Sequence, residues 1–340
     1  VVEELVDALQ EVFRCDFSNS TVPMLEPAIG VGSTFEGWSL CHDDAVYQIL
    51  LPLKAPRVHV FHLEMGAARQ MPAEDPCIRV ELECTCTGQQ REENSLCLFH
   101  HSLKEMTENQ DPSFLHSFCT GVYLDVQKTA SWFQTFVMSA WTKLWFSSYN
   151  SMKILPCSRS CKLQVSNNRS ATLFIEFIFG VQHGDSDIFL SSQAPEDTVT
   201  PNTRWPVSFA VAELKFFRHV ARQAPTNHVY LKCLRTLVHK LVGRSFSTHT
   251  IKTIVMHVLT SAGQSRWNMK RFEPWMQDII GYLRCCLDKK RLDHFFIGNE
   301  NMPEDIILPL EYRTAEPLNL FQHLKHDLDA HARAICELKE

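Results

Sequence analysis

Between Ser191 and Thr203 the hydrophobic period of the chain changes, and that change restricts the fold to one that joins a sheet region to a helical region. Before it, Ile78-Arg79-Val80-Glu81-Leu82-Glu83-Cys84 alternates apolar and polar side chains, the pattern of a strand with one buried face. Val46 to Pro52 and Val58 to Glu64 read as two further strands, and Cys161 to Val165 with Leu173 to Val181 as a hairpin joined by the polar turn Ser166 to Ser170. After it, Val211 to Ala221, Val229 to Val242, Thr248 to Leu259 and Trp275 to Leu287 each carry an apolar stripe at helical spacing. Two helices interrupt the sheet region: an amphipathic one at Val1 to Phe13, and a core helix between Thr129 and Tyr149 marked by Trp132, Phe133, Phe136, Trp141 and Trp145. The expectation is an α+β chain, with a mixed β-sheet lobe over residues 1–204 and a helical lobe over residues 205–340.

Composition then excludes several functions. Lys and Arg number 33 against 39 Asp and Glu, a net charge of −6 that opposes binding to a phosphate backbone, and the densest basic run is only Lys289-Lys290-Arg291. Nucleic acid is therefore not an expected partner. With 12 glycines in 340 residues, glycine-rich cofactor loops have little material, and no G-x-S-x-G nucleophile elbow occurs. No uncharged apolar stretch reaches the length of a membrane span. Because Val1 already lies inside an amphipathic helix and lacks an initiator Met, a segment ahead of it is expected. The 13 cysteines, an odd number, leave at least one free thiol in an isolated chain. Two sequons, Asn19-Ser20-Thr21 and Asn168-Arg169-Ser170, are also present.

Local constellations narrow the chemistry. Gly32-Ser33 is a turn of the kind whose amides and hydroxyl hold phosphates when a helix follows. Cys84, Cys86, Cys97, His100 and His101 have the ligand types for a four-coordinate structural zinc, but Cys84 and Cys86 share one strand face and read equally well as packing thiols. Cys157 with Cys161, and the vicinal Cys285-Cys286, are expected in the core.

A set of ordered motifs carries more. Trp205-Pro206-Val207-Ser208-Phe209 precedes Glu213, followed by Cys233-Leu234-Arg235, Ser247-Thr248-His249-Thr250-Ile251-Lys252-Thr253, His257, Trp267, Tyr282-Leu283-Arg284-Cys285-Cys286-Leu287 and Leu292-Asp293-His294-Phe295-Phe296-Ile297. In order and spacing these resemble the Mab-21 (male-abnormal 21) domain family, which includes cyclic GMP-AMP synthase and the receptor-interacting proteins of the inositol trisphosphate receptor. Cys84-Thr85-Cys86, Cys97-Leu98-Phe99-His100-His101, Cys119 to Val126 and Ala315-Glu316-Pro317-Leu318-Asn319-Leu320-Phe321 resemble the second branch.

The resemblance implies a bilobal nucleotidyltransferase-like fold and says where its two-metal chemistry would sit. Anchored on Leu50 to Pro56, the metal-binding pair falls on Val46 and Gln48, neither of which is a carboxylate. The third family carboxylate falls at Glu176, expected as an outward-turned charge on its strand. Asp43 and Asp44 lie just upstream, and Asp44 shares strand parity with Val46 and Gln48. Arg235 falls where the family has a phosphate-contacting lysine, and Thr248 and His249 where it has a serine and a base-stacking tyrosine. Lys252 follows on the same helix as a further candidate for an anionic ligand. The zinc thumb of the DNA-sensing synthase has no counterpart, since Arg218 to Lys232 contains His219 and His228 but no cysteine pair.

The function so implied is a non-catalytic, membrane-associated binding and regulatory protein without a cofactor. Its partner would be a protein of the membrane receptor or channel kind, its membrane segment would lie ahead of Val1, and this domain would sit on the cytoplasmic side. Two alternatives stay open: a pseudoenzyme that binds a nucleotide as a regulatory ligand through Gly32, Ser33, Arg235, Thr248, His249 and Lys252, and an active metal-dependent nucleotidyltransferase that uses Asp44 and Glu176.

Overall fold

A computed structural model describes residues 1–18, 22–39, 45–56, 59–65, 75–82, 117–167, 171–194, 200–224, 228–243, 245–263 and 271–338. In chain order the elements begin with α1 (Val2–Phe17), β1 (Met24–Leu25), β2 (Ile29–Val31), α2 (Ser33–Glu36), β3 (Val46–Lys54), β4 (His59–Glu64) and β5 (Cys77–Leu82). They continue with β6 (Cys119–Thr120), β7 (Tyr123–Leu124), α3 (Val126–Trp141), β8 (Asn150–Leu155), β9 (Cys161–Asn167), β10 (Thr172–Gln182), β11 (Phe189–Ser191) and β12 (Val207–Ser208). The helices α4 (Ala210–Gln223), α5 (Val229–Leu241), α6 (Thr248–Ala262), α7 (Phe272–Lys289), α8 (Leu310–Thr314) and α9 (Leu328–Glu337) follow. The chain is thus a mixed α+β protein. Among the described residues no helix is long and apolar enough to cross a membrane.

The chain forms two compact units: Val1–Gly30, Val46–His183 and Phe189–Ser208 in the first, and Val31–Ala45, Gly184–Ile188 and Phe209–Glu340 in the second. A single cut between residues 204 and 205 does not describe them. Trp205 stays with the sheet because its fully buried indole donates to the Leu124 carbonyl at 2.9 Å, and β12 extends the ladder through β11. Val31–Ala45 and Gly184–Ile188 go with the helices because each is tied there by a buried charge, Glu36 on Lys252 and Asp187 on Lys215.

In the first unit β10 is the spine of the large sheet. It runs parallel to β3 and antiparallel to β9 and β11. Its sequence from Thr172 is almost continuously apolar, as a strand covered on both faces must be, with Glu176 as the exception. One face carries Ile175, Phe177 and Phe179, on which α3 lays Phe133 with ring centroids 5.3 and 5.4 Å from the two phenyl groups. Phe13 of α1 closes the same layer edge-on against Phe136 at 5.3 Å and Trp132 at 5.7 Å. Burying rings of this size contributes about 1.5–3 kcal/mol each. At Gly180 of β10 a Cβ would stand 2.8 Å from the tip of the Leu50 side chain, which would have to shift to admit a larger residue. Asp125 caps α3 by accepting from the Lys128 amide at 3.0 Å, while Thr120 donates to its other oxygen at 2.7 Å. The aromatic stripe does not run as one helix to Tyr149. It ends at Trp141, and Trp145 lies on a short 3-10 turn, 62% exposed, instead of in the core.

In the second unit α4, α5, α6 and α7 bury the stripes that the sequence pattern predicts, each within three residues of the expected ends. Trp275, Leu283 and Tyr230 are at or below 1% exposure in its core. Ser247 caps α6 by accepting from the Thr250 amide at 3.1 Å.

Candidate functional site

Two buried polar clusters stand out, one in each unit. In the first, β3 and β10 run side by side in a register that sets Val46 opposite Phe174 and Gln48 opposite Glu176. Antiparallel pairing with β9 sets Lys162 opposite Glu176 on the other side. Glu176 is therefore flanked by an amide and an ammonium from two neighbouring strands. Gln48 Nε2 donates to Glu176 Oε2 at 3.3 Å, Ser160 Oγ donates to Oε1 at 2.8 Å, and Lys162 Nζ stands 3.4 Å from Oε1.

This corrects the expectation that Glu176 turns outward into solvent. It is 7% exposed on a central strand, held by donors from its own chain, because a carboxylate in such a strand must be hydrogen-bonded or neutralised. Val46 is 43% exposed and offers no ligand atom. Asp43 and Asp44 lie outside the described residues, as do Cys84, Cys86, Cys97, His100 and His101. Among the described residues no group of three or more His, Cys, Asp or Glu is arranged to hold a metal ion.

The second cluster centres on Lys252. Its ammonium, buried in α6, meets Glu36 Oε1 from α2 at 2.6 Å and the Glu213 carboxylate from α4. The indole of Trp38 donates to the other oxygen of Glu36 at 2.6 Å, and His249, one turn before Lys252, places Nδ1 3.2 Å from Glu213 Oε1. His294 completes the group, its ring centroid 5.1 Å from that of His249, with its Nδ1 accepting from the Phe296 amide.

One ammonium between two carboxylates decides the electrostatics. Burial pushes Glu36 above the usual carboxylate range, the Lys252 charge only partly offsetting it and the Glu213 charge adding to it. Burial is the largest single influence on Glu213 and acts in the same direction, but the charges and hydrogen bonds of Lys252 and His249 together outweigh it and hold Glu213 down at about 2. Burial alone would lower Lys252, and the two carboxylates raise it instead, so it stays an ammonium. Burial and the neighbouring His249 push His294 down to about 3, which keeps that imidazole neutral.

The candidate phosphate and nucleotide residues separate under this geometry. Lys252 is spent on Glu36 and Glu213 and presents no free charge to an anion, which removes it from that set. His249 and Lys252 are brought together on Glu213, whereas Arg235 is exposed on α5 and Thr248 opens α6 next to its cap. Gly32, at φ 78°, turns the chain into the four-residue α2, and its carbonyl accepts from the Phe35 and Glu36 amides. The Gly32-Ser33 turn thereby opens the short helix from which Glu36 meets Lys252. The sequence marks Glu213 only by its place after a motif, and nothing in it pairs Glu36 with a lysine 216 residues away.

Comparison with known proteins agrees with this architecture. Residues 227–307, spanning α5 to the segment after α7, match the family model of the Mab-21 protein HhH/H2TH-like domain. Over residues 227–307 the chain therefore belongs to the Mab-21 domain family. The chain is 33% identical over 346 residues to inositol 1,4,5-trisphosphate receptor-interacting protein-like 1 of Rattus norvegicus and 34% identical over 346 residues to that of Mus musculus, covering 99% of this chain in each case. It is 28% identical over 347 residues to inositol 1,4,5-trisphosphate receptor-interacting protein of Homo sapiens, covering 94% of this chain and 62% of that protein. The chain spans 63% of the length of the two rodent relatives.

Proposed function

We propose that this chain is a non-catalytic, nucleotidyltransferase-like module that regulates by binding a protein partner, in the manner that the names of its receptor-interacting relatives describe. The observation that carries the reading is the Gln48–Glu176 pair. A two-metal centre on this sheet would need carboxylates from β3 facing the one on β10, and β3 offers a valine and an amide whose own hydrogen bond goes to that remaining carboxylate. Glu176 is held by Ser160, Lys162 and Gln48 from its own sheet region, and the lone acid serves the sheet in this reading.

The partner in this reading is a membrane receptor of the inositol trisphosphate type. The reading also includes an anchoring segment outside this chain, with the module on the cytoplasmic side. The test has two arms on the purified chain. Incubation with ATP or GTP and magnesium or manganese should give no product by chromatography, and turnover that scales with protein concentration would overturn the non-catalytic reading. Titration with the purified cytoplasmic part of an inositol 1,4,5-trisphosphate receptor should give saturable binding by interferometry, and its failure would remove the partner.

A further inference from the structure

The outward face of α7 carries a stripe that the core does not use. Glu273, Gln277, Ile280 and Arg284 recur at spacings of four, three and four, which puts them on one line along the helix, turned away from its buried residues Trp275, Ile279 and Leu283. The line is accessible, with Glu273, Gln277 and Arg284 exposed and Ile280 half-buried. It runs along an open groove of about 400 Å³ that Met276 and Gly281 also line. Among the described residues neither Glu273 nor Arg284 has a hydrogen bond or an ion pair, and about 16 Å of helix separates them, too far for one to neutralise the other.

Gly281 is the odd residue of this face. It sits in the middle of an 18-residue helix, where glycine is a weaker choice than alanine. A Cβ there would meet nothing within 4 Å among the described residues, so packing inside the chain does not call for its absence. A missing side chain on an exposed helix face is what a second backbone needs for close approach. Met276 stands on the opposite flank of the stripe, a flexible apolar side chain suited to covering a neighbouring surface.

We propose that this face of α7 is a self-association surface, on which a second copy of the chain docks its own α7 antiparallel about a two-fold axis level with Asp278 and Ile279. The stripe reads the same from both ends. That axis sets Glu273 across from the partner's Arg284 and Gln277 across from the partner's Ile280, and symmetry repeats both contacts. A parallel copy would face acid with acid and base with base, so the charges select the antiparallel arrangement. The stripe itself has no net charge, whereas the chain carries −6 and repels a copy presented with an unmatched face. Gly281 and the partner's Gly281 fall on one flank of the seam, where the helices close on each other, and the methionines fall on the other flank. A single helix face makes a small interface, so the dimer is weak and reversible, and it is separate from the receptor contact proposed above.

Sedimentation velocity of the whole chain over a concentration series should show a reversible monomer–dimer equilibrium, and a chain that stays monomeric up to about 100 μM would overturn the proposal. Glu273→Arg and Arg284→Glu each turn both matched pairs into like-charge pairs, so each variant alone should dimerise about tenfold more weakly. Mixed in equal amounts, the two should form a heterodimer as readily as the wild type forms its dimer, because one chain then carries two bases on the stripe and the other two acids. Undiminished dimerisation of either variant alone, or no heterodimer from the mixture, would place the contact elsewhere and end the proposal. Gly281→Gln separates association from folding: it should raise the melting temperature of the monomer by strengthening the helix and yet weaken the dimer about tenfold. A dimer that Gly281→Gln leaves unchanged would refute the close approach at α7.

Discussion

Glu176 and Glu213 are the same residue type, equally buried, yet the two units solve the problem of a buried carboxylate differently. In the sheet, Glu176 is served by a hydroxyl from the turn before β9 and by an amide and a half-exposed lysine from the two adjacent strands, donors that are mostly neutral. In the helices, Glu213 shares a buried ammonium with Glu36. A neutral donor set lets a carboxylate be buried at little electrostatic expense and leaves it exchangeable. A full ion triad ties three elements together and makes its one cation indispensable, because removing Lys252 strands two buried carboxylates without a counter-charge.

The largest test of that contrast removes the central cation. Lys252→Met leaves Glu36 and Glu213 buried without it and should destabilise the fold by about 3–5 kcal/mol in urea unfolding. Adding Glu36→Gln and Glu213→Gln to the same chain should recover most of the loss. A single Lys252→Met with near wild-type stability would erase the distinction between the two clusters. Next in size, Glu176→Gln should cost about 1–3 kcal/mol, since it weakens hydrogen bonds without stranding a deeply buried ion.

Acid titration sharpens the comparison further. Glu213 is held below its ordinary value of 4.5, so its stabilising contribution is present above 4.5 and is lost as pH falls toward about 2. Glu36 has the opposite sign. Its value is raised, so its contribution is full below 4.5 and is lost as pH rises through the elevated value. Thermal unfolding of Glu213→Gln should therefore flatten the acid limb between pH 4.5 and 2, and Glu36→Gln should flatten the rise in stability on acidification from above. Identical profiles for both variants would contradict the assignment of the burden to Glu36. The smallest effect belongs to Lys162→Ala, whose partly exposed side chain should contribute less than about 1 kcal/mol.

Much of this was legible in the sequence, and what was not has a common cause. The strands, the helical stripes and the positions Val46, Gln48 and Glu176 follow from local periodicity and from the family resemblance, and the register then sets Gln48 beside Glu176 as strand parity allows. The helix through Trp145 failed because aromatic spacing continues past Trp141 while the backbone turns. Cys157 and Cys285 failed as core residues because their neighbours Cys161 and Cys286 take the buried positions. Lys252 read as an anion ligand because a basic residue on a helix reveals its charge but not its partner. Glu36 reaches it from a short helix between two strands, a pairing that no local period encodes.

That pairing bears on modularity. The region matched by the family model, residues 227–307, contains Lys252, but both of its carboxylate partners lie earlier in the chain. A fragment limited to that region would expose or strand a lysine that its own residues do not neutralise. A hybrid protein that borrows it from a relative must inherit a matching acid at position 36 as well. What looks like a transferable cassette in sequence is, in charge, one part of a lock whose other part is written ahead of it.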